Sequence, residues 1–158
     1  DPTFYVRDAG MNGTDDDSFL NSYTLFLMAM ASANVSAEFH RIAADQGLSV
    51  PEWRVLACLH DRKSATVTDL ARLSLMEQSR LTHLIGRMQA RGLVERQRSK
   101  TNRRSVEVTL SPDGATLARD LVAQAKAHER LAIHDRLGAE DTQVFHDLLR
   151  KLMADPQV

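Results

Sequence analysis

Val67-Thr68-Asp69-Leu70-Ala71-Arg72-Leu73 reads as a short helix and Glu77 to Arg91 as a longer one. Leu93-Val94-Glu95-Arg96-Gln97-Arg98 and Ser105-Val106-Glu107-Val108-Thr109-Leu110 follow as two strand-like runs, with a basic tip, Ser99-Lys100-Thr101-Asn102-Arg103-Arg104, between them. Helix, turn, helix and basic hairpin within Thr66 to Gly114 predict a winged helix-turn-helix, an arrangement that sets one helix into a DNA major groove. In the longer helix Leu81, Leu84, Ile85 and Met88 recur at i, i+3, i+4 and i+7 and form its apolar face. Ser79, Arg80, Thr82, His83 and Arg87 fall on the opposite face, and Gly92 ends the helix.

Charge agrees with this pattern. The chain of 158 residues has a formal net charge of -1, which by itself says nothing about DNA. Arg62 to Arg104, however, holds eleven basic residues against three acidic ones, a local +8 that leaves about -9 for the remainder. A basic block in an otherwise acidic chain is the footprint expected where phosphates are neutralised and counterions released. A solvated charged face is the competing reading; coincidence with a groove-reading motif favours DNA.

Outward from this stretch, Ser18 reads as an N-cap, and Leu20, Tyr23, Leu27, Met30, Ala31, Asn34 and Val35 repeat at helical spacing. That helix is expected to run to about Asp45 and to stop at Gly47. Ser49-Val50-Pro51-Glu52 opens the next helix, Pro51 to His60, with proline in its first turn and glutamate following. Thr66 caps the helix after that, with Asp69 in its first turn. Beyond the hairpin, Ser111-Pro112-Asp113-Gly114 begins a long helix to about His134, with Leu117, Leu121, Ala125, His128 and Ala132 along one stripe. A break at Gly138-Ala139-Glu140-Asp141 starts a last helix whose apolar side carries Val144, Phe145, Leu148, Leu149, Leu152 and Met153.

The expected fold class is therefore mainly α with a small β-hairpin wing, the N- and C-terminal helices forming a dimerisation region. Residues 1–17 are expected to be a flexible lead-in, in part not native sequence, since ten residues precede Met11. Residues 18–47 and 112–158 make the helical dimerisation region, and 48–111 the DNA-binding region. Long amphipathic helices at both ends of a short chain usually bury their stripes against a second copy. Two reading helices about 34–36 Å apart would then read an inverted repeat.

No apolar run approaches the roughly 18–20 residues that span a bilayer, and no signal-peptide pattern is present, so no membrane partner and a cytoplasmic location are expected. One cysteine makes no internal disulfide. No P-loop, dinucleotide fingerprint or nucleophile–base set occurs, so neither an enzyme nor a cofactor is expected. The six histidines include no pair at i, i+3 or i+4, and no metal site is expected. Cys58 lies among Leu56 and Leu59 without an evident flanking cation. A small buried hydrophobe is the favoured reading and a redox sensor the competing one.

A family likeness rests on several runs together. Leu48-Ser49-Val50-Pro51-Glu52-Trp53-Arg54-Val55-Leu56, Leu70-Ala71, Arg91-Gly92-Leu93-Val94-Glu95-Arg96 and Asn102 to Gly114 resemble the MarR family of bacterial transcriptional regulators. The resemblance covers nearly everything from Ser18 to Met153. The family's wing usually shows Asp-x-Arg before the second strand; here Asn102 stands at the aspartate position and Arg104 at the arginine, which removes a charge partner often used to hold the wing. The resemblance implies a homodimer on a palindromic operator in double-stranded DNA, commonly a repressor, released by a small effector such as an aromatic acid or its thioester. It also implies an effector pocket between the first, second and fifth helices. Trp53 and Arg54 are its central candidates, with Tyr23, Met30, Ser36 and His40 from the first helix. A core Trp53 and a solvent-exposed Arg54 are the alternative for that pair.

The DNA-contact candidates follow from side-chain chemistry. Gln78, Arg80 and His83 are expected at base edges, because Gln pairs with N6 and N7 of adenine and Arg with O6 and N7 of guanine. Ser79, Thr82 and Arg87 are expected at phosphates. Thr66 and Thr68 are phosphate candidates too, although a helix cap is the simpler role for Thr66. Lys100, Arg103 and Arg104 are candidates for the flanking minor groove, with Arg103 the inserting residue. By resemblance, Arg104 turns inward and braces the wing instead. A winged-helix module that docks an acidic protein is the rival from another functional class.

Overall fold

The computed structural model describes residues 19–99 and 105–154, as two units that divide after Glu38. In the N-terminal unit a single helical turn, α1 (Phe19–Ser22), leads into the long α2 (Thr24–Asp45). The predicted helix is interrupted only at Tyr23. Backbone hydrogen bonds carry on through it, from Tyr23 N to Phe19 O at 2.9 Å and from Leu27 N to Tyr23 O at 3.1 Å. Phe19, Leu20, Tyr23, Leu25, Leu27, Met28 and Met30 are all exposed. The expected lead-in and the Ser18 cap lie outside the described residues.

The second unit begins at Phe39, in the last turns of α2. Gly47, at φ 72°, reverses the chain where α2 ends, and the Leu48 N–H closes back on Ala43 O at 3.0 Å. Then come α3 (Val50–Arg62), β1 (Ser64–Thr66), α4 (Val67–Ser74), α5 (Gln78–Ala90), β2 (Val94–Arg98), β3 (Val106–Leu110), α6 (Pro112–Glu129), a π-helical turn over Arg130–His134, and α7 (Asp135–Met153). The capping residues behave as their chemistry requires. Ser49 and Glu52 form a reciprocal capping box at the start of α3. Ser111 Oγ accepts from Gly114 N at 2.9 Å at the start of α6.

Two features depart from the sequence expectation. Ser64–Thr66 forms a third strand, giving a three-stranded antiparallel sheet in the order β1-β3-β2, with Ala65 opposite Val108 and Arg96 also opposite Val108. The helix expected to run to about His134 loosens into the π-turn after Glu129 and passes directly into α7; the break comes at Gly138, whose φ of 80° and ψ of 167° are not helical.

The core beneath the sheet and α5 is built from Val55, Leu56, Leu59, Leu70, Leu81, Leu84, Ile85, Met88, Val94, Val108 and Leu121. All four residues of the predicted apolar face of α5 belong to it. Wing and α6 meet in a tight junction: a Cβ placed on Gly114 would fall 1.9 Å from Leu93 O, so only glycine fits against that backbone. Among the described residues no helix is long and apolar enough to cross a membrane.

Candidate nucleic-acid interface

Because one face of α5 is consumed by the core, the other is fixed outward. Gln78, Ser79, Arg80, Thr82, His83 and Arg87 are all exposed on that outer face. Glu77 occupies the N-cap without a side-chain cap bond; its carboxylate instead accepts from Ser79 Oγ at 2.8 Å. Thr82 Oγ1 donates back to Gln78 O at 2.9 Å within the helix. Gln78, Arg80, His83 and Arg87 are thus the long polar side chains that this face presents, with the N–H groups of the first helical turn beside them.

At the start of α4 the hydroxyl of Thr66 accepts from Asp69 N at 3.1 Å and donates to Asp69 Oδ2 at 2.9 Å, so it is engaged in a cap. Thr68 is exposed on the first turn of the same helix. The wing ladder is extended past its last strand pair, where Ser99 N donates to Ser105 O at 3.0 Å and Ser99 Oγ to Glu107 Oε1 at 2.6 Å. Lys100, Arg103 and Arg104, the tip candidates, lie outside the described residues.

The basic block divides into two groups. Arg91 donates from Nη1 to Glu52 Oε1 and from Nη2 to Gly47 O, both at 2.9 Å. Arg96, on β2, donates from Nη2 to Thr82 O at 3.0 Å and lies over Gly86, where an added Cβ would meet it in ordinary contact at 3.5 Å. Both arginines are exposed but spend donors on the protein itself, Arg91 from the end of α5 and Arg96 onto α5. Sequence counting placed them in the phosphate-facing charge because helical period assigns a face and no partner. Arg80, Arg87 and Arg98 are exposed as well.

Among the effector candidates, His40, Trp53 and Arg54 come together in the second unit. Trp53 packs edge-on to Phe39 with ring centroids 4.9 Å apart, and Phe39 lies 5.9 Å from His128. Burial, then Arg54 and then His128, hold the His40 imidazole below its usual pKa. Arg54 is half-buried and donates from Nη1 to Ser74 O at 3.3 Å, so it is not the simple solvent-exposed charge of the alternative reading. Trp53 is half-buried and packs against the core. Phe39 and His128 join this cluster without having been candidates; His128 already stood on the apolar stripe of its helix. Tyr23 and Met30 are exposed in the N-terminal unit, and Ser36 Oγ donates to Ser32 O at 2.7 Å in its own helix.

Cys58 is half-buried, and burial pushes its thiol pKa up. One expectation is corrected here: Arg62, one turn later, is a nearby cation and pulls the pKa down, but less than burial raises it. His146 Nε2 lies 3.8 Å from Glu129 Oε1 and its ring 6.1 Å from that of His134. Among the described residues no group of three or more His, Cys, Asp or Glu side chains is placed to hold a metal ion.

Comparison with known proteins agrees with this geometry. The MarR family model matches residues 48–106. The crystal structure of a MarR family transcriptional regulator from Silicibacter pomeroyi DSS-3 is 48% identical and superposes with a TM-score of 0.75, covering 86% of this chain and 99% of that one. BpsR of Bordetella bronchiseptica, whose DNA binding is regulated by 6-hydroxynicotinic acid, is 26% identical with a TM-score of 0.72, over 84% of this chain and 99% of its own. The organic hydroperoxide resistance transcriptional regulator of Bacillus subtilis (strain 168) is 26% identical over 107 residues, 68% of this chain and 73% of that relative.

Proposed function

The chain belongs to the MarR family of DNA-binding transcriptional regulators, and on that premise we propose that it is a homodimeric repressor, released from an inverted-repeat operator by a small aromatic acid or its thioester. The observation that carries the reading is the division of α5: Leu81, Leu84, Ile85 and Met88 are buried while Gln78, Arg80, His83 and Arg87 are exposed. In this reading Gln78, Arg80 and His83 contact base edges. Ser79, Thr82, Arg87, Thr66 and Thr68 contact phosphates, and Lys100, Arg103 and Arg104 reach the flanking minor groove. Residues 18–47 and 112–158 form the dimer region, and the protein works in the cytoplasm.

For the effector, Phe39 and Trp53 supply aromatic walls, while Arg54, His40 and His128 supply donors suited to a carboxylate. Tyr23, Met30 and Ser36, the other candidates from the sequence, belong to the N-terminal unit. Regulation of BpsR by a small aromatic acid supports this chemistry. An effector of this kind acts by binding the operator-competent and incompetent states with different affinities.

A thiol-based response is the second reading, because the Bacillus subtilis relative regulates organic hydroperoxide resistance. The upward push on Cys58 weighs against it, since the thiolate is the reactive form. The test is selection of duplexes from a random pool at several salt concentrations. Recovery of an inverted repeat with half-sites about one turn apart, bound with steep salt dependence, supports the proposal. Recovery of no preferred sequence points instead to a winged-helix module for an acidic protein partner.

A further inference from the structure

We infer that Glu52 and Arg91 are positioning residues for DNA reading: as one clamp they set the angle of α5 without touching DNA. The inference rests on the reading of α5 as the DNA-reading helix and adds what holds that helix in place. Glu52 is 6% exposed and its carboxylate is fully engaged. Oε2 accepts from Ser49 N at 2.7 Å and from Ser49 Oγ at 2.9 Å, and Oε1 accepts from Arg91 Nη1 at 2.9 Å. The other Arg91 terminal nitrogen holds Gly47 O at 2.9 Å. A single guanidinium at the C-cap of α5 thereby ties that helix to the first turn of α3 and to the reversal that ends α2. Lysine, a point charge, cannot hold both acceptors in this fork.

The residues that follow Glu52 extend the same device. Trp53 packs on Phe39, and Arg54 donates to the carbonyl of Ser74, the last residue of α4. Three consecutive residues of one helical turn thus reach the end of α5, the Phe39 ring and the end of α4. Both helices of the helix-turn-helix are held at their C-terminal ends by the turn that also carries the effector candidates.

The lever arm is long. Arg80 precedes Arg91 by eleven residues, about 16 Å along a helix rising about 1.5 Å per residue. A tilt of about 5° at the clamp moves Arg80 by about 1.4 Å, while hydrogen bonds hold within about 2.7–3.2 Å. Base reading is therefore sensitive to the clamp and general phosphate attraction is not.

The test compares the parent, Arg91→Ala, Arg91→Lys and Arg80→Ala. Each is titrated with the duplex recovered by selection and with a scrambled duplex of equal length, across a salt series, after circular dichroism has verified folding. The expected result for Arg91→Ala is a loss of about tenfold on the selected duplex, the scale of one base contact. Scrambled-duplex affinity and the salt slope should stay at parental values. Arg91→Lys should fall between parent and alanine in its preference for the selected duplex. If Arg91→Ala does not fold, the lysine variant decides alone: reduced preference supports the clamp, and parental preference overturns it. Equal weakening on both duplexes with the salt slope reduced by about one would make Arg91 a phosphate contact and overturn the proposal. Parental binding by Arg91→Ala overturns it too, and identifies the clamp as the failure provided that Arg80→Ala has lost its duplex preference. If Arg80→Ala also binds like the parent, it is the reading of α5 that has failed, and the clamp falls with it.

Discussion

Arg80 and Arg103 carry the same charge but are expected to fail differently. Arg80 stands on the exposed face of α5, so Arg80→Ala should cost about 1–3 kcal/mol and relax base preference at one operator position. Arg103→Ala should weaken binding to all duplexes and lower the salt slope by about one. Both outcomes are read from competition titrations with single-base operator variants. His40 yields a pH prediction. Its folded pKa is depressed, first by burial and then by Arg54 and His128. Below the ordinary imidazole value of about 6.5 the unfolded chain therefore binds more protons, and stability should fall as pH drops through that value and be unaffected near pH 8. His40→Gln should flatten this dependence in melting experiments between pH 5 and 8 (about 1.5 units either side of the imidazole value). Cys58 should react slowly with a thiol reagent in the folded protein, and Cys58→Ser should leave any response of DNA binding to peroxide unchanged; loss of such a response would instead assign the thiol a sensing role. At this scale the sequence was legible for faces and mute for partners. Period placed Arg80 and His83 outward, but nothing in it joins Arg91 to a carboxylate 39 residues earlier.

Elements were more legible, because their ends carry chemical marks. Ser49 with Glu52, Thr66 with Asp69, Ser111 with Gly114, and the glycines at 47 and 92 each announced a boundary through a cap or a left-handed turn. β1 carried no such mark: three residues are too few to show a period, and the strand exists because β3 offers Ser64–Thr66 an open edge. The π-turn at Arg130–His134 was equally silent, its composition being that of an ordinary helix. Gly114 supports a prediction for the junction of wing and helix. Gly114→Ala drives a Cβ to within 1.9 Å of Leu93 O, a rigid backbone atom. The variant should lose about 2 kcal/mol or more of stability in denaturant titration, since overpacking against backbone has little room to relax.

For the whole molecule the informative surface is apolar. Val144, Phe145, Leu148 and Leu152 keep between 39% and 68% of their surface exposed along α7. The stripe was visible in the sequence, and all its members but the half-buried Leu149 are exposed, which suits the proposal that a second copy buries this face. Phe145→Glu combined with Leu148→Glu should sediment as a monomer and lose operator binding, because two half-sites held together gain by effective concentration what one head lacks. A variant that stays dimeric would place the interface elsewhere.

The hairpin between Val94 and Leu110 also works as a ruler. Its ladder runs from the Val94–Leu110 pair to the Arg98–Val106 pair, and each residue adds about 3.4 Å of reach. Two more residues in each strand would keep every side chain on its present face and carry the tip about 7 Å outward, the length of about two base pairs at 3.4 Å each. One more residue per strand would carry it half as far and reverse the alternation of faces along the strand. In the proposed reading, where the wing reaches DNA, the span it covers would grow in steps of two base pairs per wing, and the parity of the strand sets the quantum.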